Sequence, residues 1–201
     1  MIYTLAYLCR KSSLSRAEFS EYYESRHTKL ARHILPEFSH YRRNHVLEST
    51  DDAQCPDSFS EFAYDCESKL LETMSIVGGE RGRELMDDEL NFMDKIRNQI
   101  YPATPLGQLA PVVAEYKYVV VVRGESAAID AWIEGWRSID SDVQDTLTYS
   151  EVGADGAQQL HWLMAWSNRQ VPLQGLQADL VDRGVPVLWC ARVDECRGYP
   201  Q

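Results

Sequence analysis

The order strand, helix, strand, strand, helix, strand recurs along this 201-residue chain, and that recurrence restricts the fold more than any single motif. The first pass opens on MIYTLAYLCR, a short apolar run bounded by Lys11-Ser12-Ser13, which reads as a buried strand. Ser15-Arg16-Ala17-Glu18 is a capping box, in which the Ser side chain caps a backbone N–H and the Glu reaches back to the cap residue. The helix it starts carries an apolar stripe of Phe19, Tyr22, Tyr23, Leu30 and Ile34 and stops at Pro36. His27, four residues after Tyr23 and three before Leu30, falls on the core side of that helix. Strands are expected over Ser39 to Leu47 and Phe59 to Tyr64, separated by the polar loop STDDAQCPDS. Asp65 can cap the next helix, whose Leu70, Leu71, Met74 and Val77 face inward before Gly78-Gly79 ends it. Residues 80 to 97 read as a further helical segment, and Pro102, Pro105, Gly107 and Pro111 as a linker.

After the linker the order restarts: strand Val112 to Val122, helix Ser126 to Ile139, strands Thr146 to Val152 and Leu160 to Ser167, helix Leu173 to Arg183, strand Val187 to Val193. YTLAYLCR leading to AEFSEYYE parallels YVVVVRG leading to AIDAWIEGW, with Phe19 and Tyr23 where Trp132 and Trp136 stand. The shared order of such weak matches favours duplication. A βαββαβ unit makes a four-stranded antiparallel sheet with both helices on one face, the ferredoxin-like arrangement, and its other face must also be covered. The expectation is an α+β fold: two repeats, residues 1–104 and 111–201, packed sheet to sheet as a pseudo-dimeric α+β barrel within one chain.

Composition narrows the partners. With 31 acidic against 20 basic residues the net charge is -11, and the basic residues are scattered apart from Arg42-Arg43. Nucleic acid and anionic membrane surfaces are therefore excluded as partners, because phosphate affinity needs concentrated Lys and Arg. The N-terminal apolar run is too short for a targeting signal, and no stretch approaches the ~18 to 20 apolar residues of a membrane span. Five cysteines without a CxxC pair, in a chain able to bury a core, read as reduced thiols in the cytoplasm.

Few motifs carry chemistry. Four of the five histidines, His27, His33, His40 and His45, fall within nineteen residues, but their helical and strand spacings point them apart, so no shared metal ion is expected. There is no HExxH, GxSxG, GxGxxG or Walker-type loop. Cys9 and the aromatic residues Tyr116, Tyr118, Trp132, Trp136, Trp162, Trp166 and Trp189 read as core, and a large aromatic-lined cavity would use the same aromatic residues. His27 is the most informative polar group. On an apolar stripe it is either a buried histidine bonded to a carbonyl or acid, or a general acid or base in a desolvated pocket. Asp88 and Asp94, six apart, cannot both point into one pocket.

The segment from Arg10 to Val46 resembles the EthD-like proteins of the dimeric α+β barrel superfamily. It carries that family's Arg10-Lys11, the helix with Phe19, Tyr22-Tyr23 and His27, and the strand ending Asn44-His45-Val46, followed later by Asp88-Glu89, Phe92 and Asp94. The second half lacks the histidine, having Asp140 where His27 would fall. The resemblance implies a pocket between sheet and helices and a small enzyme without metal or organic cofactor. In it His27 is the leading acid/base candidate and His45 the second, Asp88 orients an imidazole, and Tyr23 donates to a carbonyl or enolate. The implied function is a lyase or isomerase, of dehydratase, decarboxylase or cyclase type, on a hydrophobic carbonyl or polyketide-like molecule. The alternative is a non-catalytic binding or accessory protein using the same pocket. Haem handling, known elsewhere in the superfamily, would need an axial ligand, and homodimerisation is left open.

Overall fold

The structure is a computed structural model, described here over residues 1–105, 115–123, 146–152, 159–182 and 184–197. It is a mixed α+β fold whose described strand pairs are antiparallel. The chain divides into two compact units, the first Met1–His45, Pro56–Pro102 and Glu195–Gln201, the second Val46–Cys55 and Ala103–Asp194. No helix among the described residues is long and apolar enough to cross a membrane.

In the first unit, strand β3 (Ser58–Tyr64) lies between β1 (Ile2–Leu8) and the first part of β2 (His40–Ser49). The register sets Ile2 opposite Tyr64 and Leu8 opposite Ser58 on one side, and His40 opposite Ala63 and His45 opposite Ser58 on the other. Four helices follow the sequence: α1 (Arg16–Tyr22), α2 (Thr28–Ile34), α3 (Glu67–Gly78) and α4 (Arg83–Phe92). The capping box at Ser15 forms as the residues dictate, with Glu18 N–H donating to Ser15 Oγ at 3.2 Å and Ser15 N–H donating to the Glu18 carboxylate at 2.8 Å. Phe19, Tyr23, Phe92 and Met93 pack with Ala6 and Leu8 into one apolar cluster, and Phe38, Tyr41 and Tyr64 form another.

In the second unit, β5 (Tyr116–Arg123) pairs with both β7 (Gln159–Ser167) and β8 (Val187–Arg197), and β6 (Thr146–Val152) pairs with the other side of β7. The continuous run Val119-Val120-Val121-Val122 suits a strand buried on both faces. Leu173, Leu176 and Leu180 of helix α5 (Leu173–Asp182) cover Tyr118, Val120, Val122, Leu163 and Ala165, and Trp162, Trp166 and Trp189 are buried. The helix expected over residues 126–139, with Trp132, Trp136 and Asp140, lies outside the described residues.

Several boundaries need correction. The N-cap of α3 is Cys66, not Asp65, whose carboxylate instead accepts from Ser39 Oγ at 2.6 Å. Leu71 and Met74 are exposed, so the inward stripe of α3 is narrower than expected. The helix expected to reach residue 97 ends at Phe92: Met93 bridges to Arg10, and Asp94 accepts the N–H groups of Ile96, Arg97 and Asn98 in a turn. Gln99–Pro105, read from its prolines as linker, is strand β4. Pro105 is the last residue of the strand, where a missing ladder donor is tolerated.

Candidate active site

The site begins with the first helix. Between α1 and α2 the chain makes one π-helical turn, Tyr23–His27, in which Thr28 N–H donates to Tyr23 O five residues back. Such widened turns concentrate at functional sites because they re-aim side chains. Here the turn contains both Tyr23 and His27, and both are buried.

Helix α4 supplies the partner. Its inward residues Leu85, Asp88 and Phe92 follow helical spacing, and Asp88 Oδ2 lies 3.0 Å from His27 Nδ1. Asp88 Oδ1 accepts from the Tyr22 hydroxyl at 2.9 Å and from Arg26 Nε at 3.1 Å. Tyr22 stacks on Phe92, whose ring lies 5.1 Å from that of His27. Burial pushes the His27 imidazole below its ordinary range; the Asp88 hydrogen bond and the charges of Glu89 and Asp88 act against that shift without cancelling it. His27 is therefore neutral at pH 7. With the carboxylate accepting from Nδ1–H, Nε2 is the basic nitrogen.

Tyr23 stands beside His27 with ring centroids 5.2 Å apart. Its hydroxyl is 2.9 Å from Ser60 Oγ and 3.3 Å from the Tyr41 hydroxyl. Burial pushes this phenol up to about 12, so it keeps its proton.

A second ionic centre lies behind Tyr23. Arg43, almost fully buried, binds the Glu24 carboxylate with both Nε (2.7 Å) and Nη2 (2.8 Å), and His45 Nε2 is 2.7 Å from the same carboxylate. Burial raises the Glu24 carboxyl, but the His45 and Arg43 hydrogen bonds and charges more than reverse this and hold it at about 2. Glu24, His45 and Cys196 bring potential metal-ligating atoms within 4.8 Å of one another, the one such group among the described residues. The carboxylate's charge in that group is already matched by the Arg43 fork.

Above His27 and Tyr23 the helices and sheet of the first unit enclose a cavity of about 650 Å³, within the range of small-molecule sites. Its walls are mainly Ala6, Leu8, Leu35, Phe38, Phe62 and Leu85, with Tyr41 and Tyr64 beside the phenylalanines. Glu89 and Lys95, which form an ion pair, line it near His27.

The structure thus brings His27, Asp88 and Tyr23 together, with His27 and Tyr23 on the cavity wall and Asp88 one contact behind. His45 touches the Tyr23 ring at 5.4 Å but is directed at Glu24 and does not line the cavity. Asp94 forms the turn after Met93, and neither it nor Asp88 lines the cavity. Cys9 is buried and its thiol pushed up by burial, as befits a core residue. His33 is exposed. Sequence reasoning missed Glu24, Arg43, Ser60 and Lys95. The adjacent Arg42-Arg43 within a strand was the one signal, since a buried guanidinium requires an acid nearby.

Comparison with known proteins agrees with this geometry. Residues 11–96 match the family described as EthD domain. No curated protein matches the chain. Among solved structures, a candidate monooxygenase from Lactobacillus acidophilus NCFM is similar over 98% of this chain and 95% of its own, with a TM-score of 0.55 and 10% identity. A candidate chlorite dismutase is similar over 96% of this chain and 95% of its own, with a TM-score of 0.50 and 10% identity. At such identity the likeness concerns the mixed α+β fold alone.

Proposed function

We propose, from the premise that the first half of this chain is an EthD domain, that the protein is a small-molecule-processing enzyme, a lyase or isomerase acting on a hydrophobic carbonyl compound. The observation that carries the reading is the buried His27–Asp88 pair at the wall of an apolar cavity. Neutral His27 takes a proton from the carbon next to the carbonyl through Nε2, and the electron pair moves onto the carbonyl oxygen. Tyr23, still protonated, donates toward that oxygen, and Asp88 holds the imidazole in its productive tautomer. Return of the proton at another carbon gives isomerisation; departure of a β-substituent gives elimination.

The same proposal takes the two halves as tandem ferredoxin-like repeats completing one barrel, on the strength of the repeated element order expected from the sequence. Five free cysteines support a reducing, cytoplasmic setting.

The test is exchange of the α-hydrogens of 2-tetralone in D₂O, followed by NMR. The protein accelerates exchange above buffer and the His27→Ala variant does not. Binding of 2-tetralone without exchange would instead make the protein a carrier, and exchange unaffected by His27→Ala would refute the assignment of the base. The acid limb of the exchange rate is expected below pH 6.5, because burial lowers the His27 value from 6.5, with a plateau through neutrality. Asp88→Asn removes a contribution that raises this value, so its limb moves to still lower pH while the plateau drops roughly tenfold or more as the tautomer is lost.

A further inference from the structure

The cavity is lopsided in its chemistry. At one end lie His27, Glu89 and Lys95, the ionisable His, acid and cation among its lining residues. At the other, Phe38, Tyr41, Phe62 and Tyr64 form a continuous aromatic wall, with Tyr41 and Phe62 stacked at 4.9 Å and Phe38 set 5.1 Å from Phe62 and 5.5 Å from Tyr64. The strand register gives the length of that wall from Tyr23 outward. Tyr41 meets Tyr23 hydroxyl to hydroxyl at 3.3 Å; Ser60, which contacts Tyr23, is opposite Ala6, and Tyr64 is opposite Ile2, and four residues of strand span ~13 Å. That distance fits two fused six-membered rings with one substituent.

Lys95 is placed, not free to wander. It sits in the turn whose backbone Asp94 gathers, between α4 and β4, and its ammonium contacts the Glu89 carboxylate. An ammonium has three donors, so Glu89 leaves others for a ligand. Asp88 is fully engaged by His27, Tyr22 and Arg26, and His27 is uncharged, so Lys95 is the group at this end able to compensate a negative charge.

We infer that the ligand of this cavity is an aromatic carboxylate whose fused ring system also bears the enolisable carbonyl, its carboxylate held by Lys95 in company with Glu89 and its ring laid along the Phe38–Tyr64 wall. The inference deepens the proposed function by naming a substrate class, and it rests on the cavity being the substrate site. It also assigns Lys95 as the residue that selects the anion.

The test is equilibrium binding of 2-naphthoate, neutral 2-naphthamide, 2-naphthylmethylammonium and the saturated decalin-2-carboxylate to the full chain. 2-Naphthoate is expected to bind more tightly than the amide and the ammonium. Lys95→Met, which keeps the aliphatic stem of a partly exposed residue, weakens naphthoate about tenfold or more and leaves the amide within about twofold. Glu89→Gln strengthens naphthoate by removing a facing negative charge. The flat ring is expected to bind about threefold to tenfold better than the saturated one. Equal responses of naphthoate and naphthamide to Lys95→Met, or preference for the ammonium, would overturn the assignment of Lys95; equal binding of the flat and saturated acids would overturn the aromatic wall. Binding needs no turnover, so failure of exchange chemistry with 2-tetralone leaves these results standing, and charge-blind binding leaves the exchange result standing.

Discussion

Replacing His27 with Ala is expected to lower the exchange rate by about 10² to 10⁴, the range a positioned general base contributes, or roughly 3 to 5 kcal/mol of barrier. The fold should survive. Asp88 keeps its hydrogen bonds from Tyr22 and Arg26, and the space left by the imidazole opens into a cavity that already exists. His27→Gln sharpens the test, because its amide can still donate to Asp88 but cannot take a proton. Both variants should melt near the parent temperature while losing turnover together. Either variant keeping its rate within tenfold of the parent would remove His27 from the chemistry.

The second large effect is on stability. Glu24→Gln is expected to destabilise the first unit by roughly 2 to 3 kcal/mol, because it removes the negative charge that the buried Arg43 guanidinium binds with two hydrogen bonds and gives His45 a weaker partner. Acid gives the same answer by another route. The Glu24 carboxyl is lowered from 4.5 to about 2 in the folded protein, so its stabilisation is complete above pH 4.5 and disappears as pH falls toward 2. Its side chain is 24% exposed, and solvent screening trims the linked energy to about 2 kcal/mol. Chemical denaturation between pH 6 and pH 2 should show this loss in the parent, and Glu24→Gln should lack that component. Equal acid sensitivity in both proteins would show that Glu24 is not a keystone of the first helix.

These two centres were unequally legible. His27 and Asp88 could be singled out because an ionisable residue on an apolar helical stripe needs a partner, and a family-like motif offered one. Glu24 and Arg43 could not be paired, since they lie nineteen positions apart on different elements, and Glu24 reads as an ordinary exposed helix charge. The π turn at Tyr23–His27 was also invisible: its residues suit an α-helix equally well, and the extra residue in the turn is decided by what packs against it. Strand β4 was hidden by Pro102 and Pro105, and the last turn of the expected helix by Met93, whose pairing with Arg10 depends on a strand some eighty residues earlier.

What the sequence determined by itself is local: the capping box at Ser15, the apolar runs that become strands, the mixed α+β order, and the side of the first helix on which His27 lies. Those follow from backbone hydrogen-bonding needs and residue periodicity, which act over a few positions. Which groups meet was decided only by tertiary structure. The His27–Asp88 contact spans 61 positions, and the cavity exists because β1, β3, the Tyr23–His27 turn and helices α2, α3 and α4 enclose space that no one of them defines. Charge pairing and desolvation depend on distance in space, and it is there that a histidine on an apolar stripe becomes a neutral base with one nitrogen held and the other free to act.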